Sequence, residues 1–209
     1  MQIDILTLFP DMFKGPFDAS IIKRAESKGL IKINVHDMRK WGDTERKNVD
    51  DRPYGGGVGM ILRVDVIDNA LKDLRRKNTV VALLDATGTK FNQQKSMEMS
   101  KIKHLILIAG HYEGVDHRVH EYLVDEVISV GDYVLTGGEI PSMILVDSII
   151  RLIPGVLGKD ESSSIESHME PGYLEYPQYT RPEKYNGWDV PKVLLSGNHK
   201  EIDTWRKKH

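Results

Sequence analysis

The sequence predicts an α/β protein built on a parallel sheet, and three observations carry that prediction. Residues 80–84, 105–109 and 127–130 are short, continuous apolar runs of strand length, the pattern of strands covered on both faces. Stretches of helical periodicity lie between such runs, as in chains that alternate strand and helix. Each run leads into a glycine-bearing segment: Gly88, then Gly110 and Gly114, then Gly131, Gly137 and Gly138. In open α/β sheets ligands bind beyond the carboxyl ends of the strands, so these three segments are expected to share one pocket.

Taken in order, residues 2–8 alternate apolar and polar side chains and read as a strand that Phe9-Pro10 ends. Residues 19–28 read as a helix with Gly29 just past its end, where left-handed backbone is common. Residues 31–36 alternate again and read as a second strand. Residues 38–51 are polar and mixed in charge, with Arg39, Lys40, Arg46 and Lys47, and read as a loop. Gly55, Gly56, Gly57 and Gly59 follow within five positions. Such density costs backbone entropy, so positive φ or close approach is expected there. Val64, Val66, Ile67, Ala70, Leu71 and Leu74 mark one face of a helix over 64–77.

Residues 143–153 are almost wholly apolar and end at Pro154-Gly155. A helix apolar all round is buried, in a core or an interface. Asp147 and Arg151 share one of its faces. They are read either as a structural ion pair or as placing a buried arginine near the glycine segments, where it would meet an anionic or polar ligand. Residues 158–171 are polar and serine-rich and read as flexible. Beyond them, Tyr173, Tyr176, Tyr179, Arg181 and Lys184 mix aromatics with cations. Asn198 and Glu201 form a capping-box-like start to a last helix carrying Trp205, Arg206, Lys207 and Lys208. That mixture suits RNA, by base stacking and phosphate contact, or a small core with a basic rim.

Composition narrows the function. With no cysteine among 209 residues, disulfides, cysteine zinc sites and a thiol nucleophile are excluded. The histidines show no HxxxH spacing, and no metal ligand set is expected. A net charge of −2 disfavours a generic nucleic-acid coat but not a local basic patch. Gly-x-Ser-x-Gly, a P-loop and a dinucleotide fingerprint are all missing. Residues 1–8 lack a basic leader, and no run approaches the roughly 20 apolar residues of a membrane span, so a cytoplasmic protein is expected.

Seven blocks in order along the chain resemble the TrmD-type tRNA (guanine-N1)-methyltransferases of the SPOUT class. They are Leu8-Phe9-Pro10, the segment from Val49 to Gly57, Gly110 to Asp116, Gly131 to Glu139, Pro154 to Gly158, Tyr179 to Pro182 and Leu194 to His199. The resemblance implies a parallel sheet threaded as a deep trefoil knot over residues 1–158, a linker over 159–171, and a small, mainly helical tRNA-binding domain over 172–209. It implies a homodimer with shared active sites, and transfer of methyl from S-adenosylmethionine to N1 of guanosine 37, with S-adenosylhomocysteine as product.

The matching donor contacts are Leu84, Gly110, Tyr112, Glu113, Val130, Gly131, Tyr133, Leu135, Gly137, Gly138 and Pro141. The matching tRNA contacts are Asp50, Arg52, Tyr54, Gly59, Arg181, Ser196, Asn198 and His199. Arg151 matches an arginine that stabilises charge at guanine O6, and magnesium is associated with the reaction. The general base, usually aspartate, falls at Glu166, with Asp160 and Glu161 as alternatives. Val58 stands where proline is common, and Asp85-Ala86-Thr87 replaces a more usual Ser/Thr-Pro-Gln. The competing readings are a related enzyme acting on another RNA nucleoside and a non-catalytic RNA-binding protein.

Overall fold

In a computed structural model describing residues 1–42, 47–158, 167–168 and 172–208, the chain forms two compact units, Met1–Asp160 and Glu161–His209. The first contains β1 (Gln2–Thr7), α1 (Ser20–Ser27), β2 (Lys32–Asp37), β3 (Asp50–Asp51), β4 (Ile61–Leu62), α2 (Val64–Leu74), β5 (Thr79–Lys90), α3 (Gln93–Met99), β6 (His104–Ala109), α4 (His117–Tyr122), β7 (Glu126–Ser129) and α5 (Glu139–Ile150). Five strands make one sheet in the order β2-β1-β6-β5-β7, and every pairing in it is parallel.

Period-two side-chain alternation divides this sheet into two apolar faces. Ile3, Ile5, Ala82, Leu84, Leu105 and Leu107 face one core with α1, α3 and α5, through Ile22, Ala25, Met99, Leu145, Val146 and Ile149. Leu6, Val81, Leu83, Ile106 and Ile108 face a second core with α2 and α4, through Val66, Ile67, Ala70, Leu71 and Val119. Strands buried on both sides are why the sequence shows continuous apolar runs rather than alternation. Each fully buried aliphatic side chain contributes on the order of 2 kcal/mol.

Local chemistry sets several boundaries. Gly29, at φ +69°, follows α1. Its amide bonds Glu26 O, and that of Leu30 bonds Ala25 O, at 2.9 and 3.1 Å, the paired closure of a Schellman motif. Asn92 and Asp116 cap α3 and α4 through their side chains.

The structure corrects several sequence expectations. Residues 38–51 are not simply a solvated loop: Met38, Trp41 and Val49 are buried, and Trp41 Nε1 donates to Asp73 at 2.8 Å. Strand β5 does not stop at Leu84. Leu84 and Thr89 both pair with Ile128, so residues 85–88 leave the ladder and the strand resumes beyond them. Gly88 is therefore inside β5, and a Cβ there would lie 2.5 Å from Ile128 N. Helix α5 starts at Glu139, earlier than the apolar pattern indicates.

The second unit contains β8 (Lys184–Tyr185), β9 (Trp188–Asp189), α6 (Lys192–Leu195) and α7 (His199–Lys208). The two strands form an antiparallel hairpin. None of its described residues is fully buried. Its aromatic side chains instead cluster: Tyr179 meets Trp205 at 6.4 Å, Tyr185 meets Trp188 at 5.9 Å, and Arg206 lies 4.7 Å over Tyr176.

Candidate functional site

The loops that follow β6 and β7 meet the 85–88 excursion of β5 at the carboxyl end of the sheet. Together they enclose an open cleft of about 210 Å³. Leu84, Asp85 and Ala86 come from the first segment, residues 110–114 from the second, and Val130, Tyr133, Leu135, Gly137, Gly138 and Pro141 from the third. Every sequence-selected donor residue lines this cleft except Gly131. A Cβ at Gly131 would collide with the Tyr133 ring, so this glycine makes room for the tyrosine. Asp85, Ala86, His111, Gly114, Ile128, Ser129, Val134 and Thr136 are lining residues the sequence reading did not select.

Backbone contacts weld these loops together. The Gly138 amide donates to Gly110 O at 2.7 Å, and His111 pairs with Gly137 as an isolated bridge. A Cβ at Gly138 would lie 2.6 Å from Ala109 Cα and 2.8 Å from Gly110 N. Gly137 is equally confined, by His111 and Glu139. These two glycines thus serve loop packing, whereas a Cβ at Gly114, φ +115°, would meet open space.

Beneath the loops lies a polar contact that sequence reasoning missed. Glu139, in the first turn of α5, is 1% exposed. Thr7 Oγ1 donates to its Oε1 at 2.7 Å, and its Oε2 lies 3.5 Å from His111 Nδ1. The helix N-terminus favours a carboxylate at this position. The contact joins residues 132 positions apart, so no local pattern signals it.

The glycine-rich segment approaches the same rim. Gly55, Gly56, Gly57 and Gly59 all have positive φ, between 82° and 139°. The Glu113 amide donates to Met60 O at 3.1 Å, and a Cβ on Gly59 would touch the Glu113 side chain at 2.5 Å. Asp50 is half-buried on β3, and Arg52 and Tyr54 are exposed. In the second unit, Asn198 Oδ1 accepts from the Glu201 amide at 3.4 Å, as a cap of α7 should. Ser196 Oγ donates to Val193 O at 2.8 Å. His199 opens α7, and Arg181 is exposed.

Two expectations about catalytic groups fare differently. Arg151 is half-buried rather than buried, and it terminates α5 at the end away from the cleft. The 12 residues of α5 span about 18 Å, so within one chain Arg151 stands a helix length from Gly138. Glu166, Asp160 and Glu161 lie outside the described residues. Among the described residues no group of three or more acidic or histidine side chains is placed to hold a metal. No described helix is long and apolar enough to cross a membrane.

A parallel sheet with a cleft at the carboxyl ends of its strands, lined by apolar side chains and by the carboxylates of Asp85 and Glu113, defines an α/β protein whose candidate ligand site lies where open sheets of this kind place theirs. The chain belongs to the tRNA (Guanine-1)-methyltransferase TrmD family, whose sequence model matches residues 1–209. It is 52% identical over 208 residues to a tRNA (guanine-N(1)-)-methyltransferase of Carboxydothermus hydrogenoformans, covering 100% of this chain and 82% of that one. The Dictyoglomus turgidum protein of the same description is also 52% identical over 208 residues, covering 100% and 84%. One from Geobacter sp. (strain M21) is 50% identical over 210 residues, covering 100% and 84%.

Proposed function

We propose that the chain transfers a methyl group from S-adenosylmethionine to N1 of guanosine 37, 3′ of the anticodon of tRNA. The observation that carries this reading is the convergence of the 85–88 excursion of β5 and the loops after β6 and β7 on one cleft. Its groups suit the donor: Leu84, Ile128, Val130, Leu135 and Pro141 offer apolar surface to an adenine ring. Glu113 and Asp85 offer carboxylates to ribose hydroxyls or to the cationic methionyl end. When bound, the donor supplies a methyl group already activated by its sulfonium.

What the chain must add is positioning and proton management. Guanine N1 carries a proton and becomes nucleophilic only as that proton leaves, so a general base is required. Glu166 is the residue assigned to hold it, with Asp160 and Glu161 as alternatives. Arg151 is assigned to guanine O6, where negative charge develops. Because Arg151 stands a helix length from the cleft of its own chain, the reading places it in the active site of a second copy. The exposed apolar side chains of α5, Ile140 and Ile144, with Val134 beside the cleft, supply a surface for that homodimer.

Asp50, Arg52, Tyr54 and Gly59 from the first unit, and Arg181, Ser196, Asn198 and His199 from the second, are assigned to tRNA. In this reading 159–171 is the linker and 172–209 the tRNA-binding domain. The family's trefoil knot, a magnesium requirement and a cytoplasmic location belong to the same reading.

The test is transfer of labelled methyl from S-adenosylmethionine to tRNA transcripts with guanosine at 36 and 37. Label should enter guanine N1, and changing guanosine 37 to adenosine should abolish it. Equal labelling of both transcripts would overturn the assignment.

A further inference from the structure

Asp85 is a carboxylate built into the cleft wall. The four residues that leave the β5 ladder begin with it, and Gly88 lies flush against Val127 and Ile128 to let the strand rejoin. Thr87 fixes one carboxylate oxygen: its amide and hydroxyl donate to Asp85 Oδ1 at 2.8 and 2.7 Å. The other, Oδ2, faces His120 Nε2 from α4 at 3.4 Å. His120 is backed by the stacked ring of His117, 5.0 Å away. The Asp85 side chain remains 21% exposed, and Asp85 is among the residues lining the cleft. Burial opposes its ionisation, but the Thr87 amide, the Thr87 hydroxyl and His120 outweigh that and hold the carboxyl below the usual carboxylate range.

We propose that Asp85 is a specificity-determining residue that makes the cleft prefer the positively charged methyl donor over its neutral thioether product. The inference rests on the donor occupying this cleft. A cleft of about 210 Å³ is only about 6 Å across if taken as a cube. Such a cube is about 10 Å corner to corner, so a sulfonium held anywhere inside it lies within roughly 10 Å of Asp85. At that outer separation Coulomb attraction between unit charges, under partial solvent screening, still gives between about twofold and fifteenfold in affinity. Methyl transfer removes the sulfonium charge and leaves every other charge of the ligand in place. Asp85 thus holds the substrate and loses its hold once the reaction is over.

The roles of Asp85 as a loop tie and as a charge sensor separate cleanly. Asp85→Asn keeps an oxygen to accept from Thr87 and removes the charge. Asp85→Ser is a second uncharged variant should the first not fold, and Asp85→Glu restores the charge. Dissociation constants for S-adenosylmethionine and S-adenosylhomocysteine are measured by calorimetry on the full chain at about pH 8, where an ordinary imidazole is uncharged.

The uncharged variants should shift the ratio of the two constants by about tenfold against the donor, and Asp85→Glu should recover most of it. An unchanged ratio, or an equal weakening of both ligands, would overturn the inference and leave the cleft assignment standing. Binding of neither ligand by the unaltered chain would overturn both.

Discussion

Gly138→Ala isolates the contact between loops on which the cleft depends. Gly138 sits at φ −83°, ψ 0°, a conformation open to alanine, so the substitution introduces no torsional strain. Reduced freedom of the unfolded chain would even favour alanine by about 0.4–1 kcal/mol. The obstacle is steric. The new Cβ would sit 2.6 Å from Ala109 Cα and 2.8 Å from Gly110 N, backbone atoms of β6 and its loop that have no rotamer to change. The β7 loop must back away, stretching the 2.7 Å bond from the Gly138 amide to Gly110 O. Overpacking costs about 1–3 kcal/mol, and the weakened hydrogen bond about 1 kcal/mol.

With the gain for alanine subtracted, the chain should lose about 1–3.5 kcal/mol, lowering Tm by roughly 2–14 °C for a chain of this size. It should still fold, because domains carry about 5–15 kcal/mol. S-adenosylmethionine affinity should fall by at least about tenfold, since both displaced loops line the cleft. Gly158→Ala is the control, because a Cβ there meets nothing within 4 Å. Calorimetric titration and thermal melting of the three proteins decide the matter. Native Tm and native donor affinity in Gly138→Ala would refute the reasoning.

Three further perturbations probe other parts of the structure. Arg151→Ala should lower the single-turnover rate of methyl transfer by about 100-fold or more, with donor affinity changed less than about threefold; comparable losses in both would contradict its placement at guanine O6. Ile144→Glu puts a charge on the exposed apolar face of α5 and should shift sedimentation from dimer to monomer while abolishing transfer, whereas an active monomer would exclude a shared site. Asp4 is buried, and its carboxylate receives hydrogen bonds from His36, His104, Gln2 and Asn34. Burial opposes its charge, but those partners outweigh it and hold its pKa well below the usual range. A depressed folded-state pKa means that stability is fully present above the unfolded carboxyl pKa of about 3.9 and declines as pH falls through and below it. Asp4→Asn should cost about 2–3 kcal/mol in urea unfolding at pH 7, and the gap to the unaltered chain should narrow toward pH 3; a gap independent of pH would contradict this.

What the sequence made legible follows the range of the interactions involved. Strands β1, β2 and β6 and the turn at Gly29 are set by neighbouring residues, and their patterns read directly. The three glycine-bearing segments were also visible, because close loop packing tolerates no side chain at Gly137 or Gly138. Long-range contacts left no such trace. Trp41 finds Asp73 and Thr7 finds Glu139, so an apparently polar stretch conceals buried anchors. Strand β5 was cut short because its continuation, Thr89 and Lys90, is exposed and polar and pairs only after an excursion. Helices α3 and α4 are short and held by caps and tertiary packing rather than by a long apolar stripe. Nearness in sequence to the glycine segments does not bring Arg151 to them within one chain, because α5 carries it a helix length from Gly138; its assignment to guanine O6 rests on the family match instead.

The account depends most on the donor occupying the cleft between the 85–88, 110–114 and 130–141 segments. A crystal structure of the chain with S-adenosylhomocysteine tests this directly. The ligand should touch Leu84, Glu113 and Leu135 at once, with its thioether sulfur inside the cleft. Density for the ligand at another surface, with those three loops bare, would contradict the account.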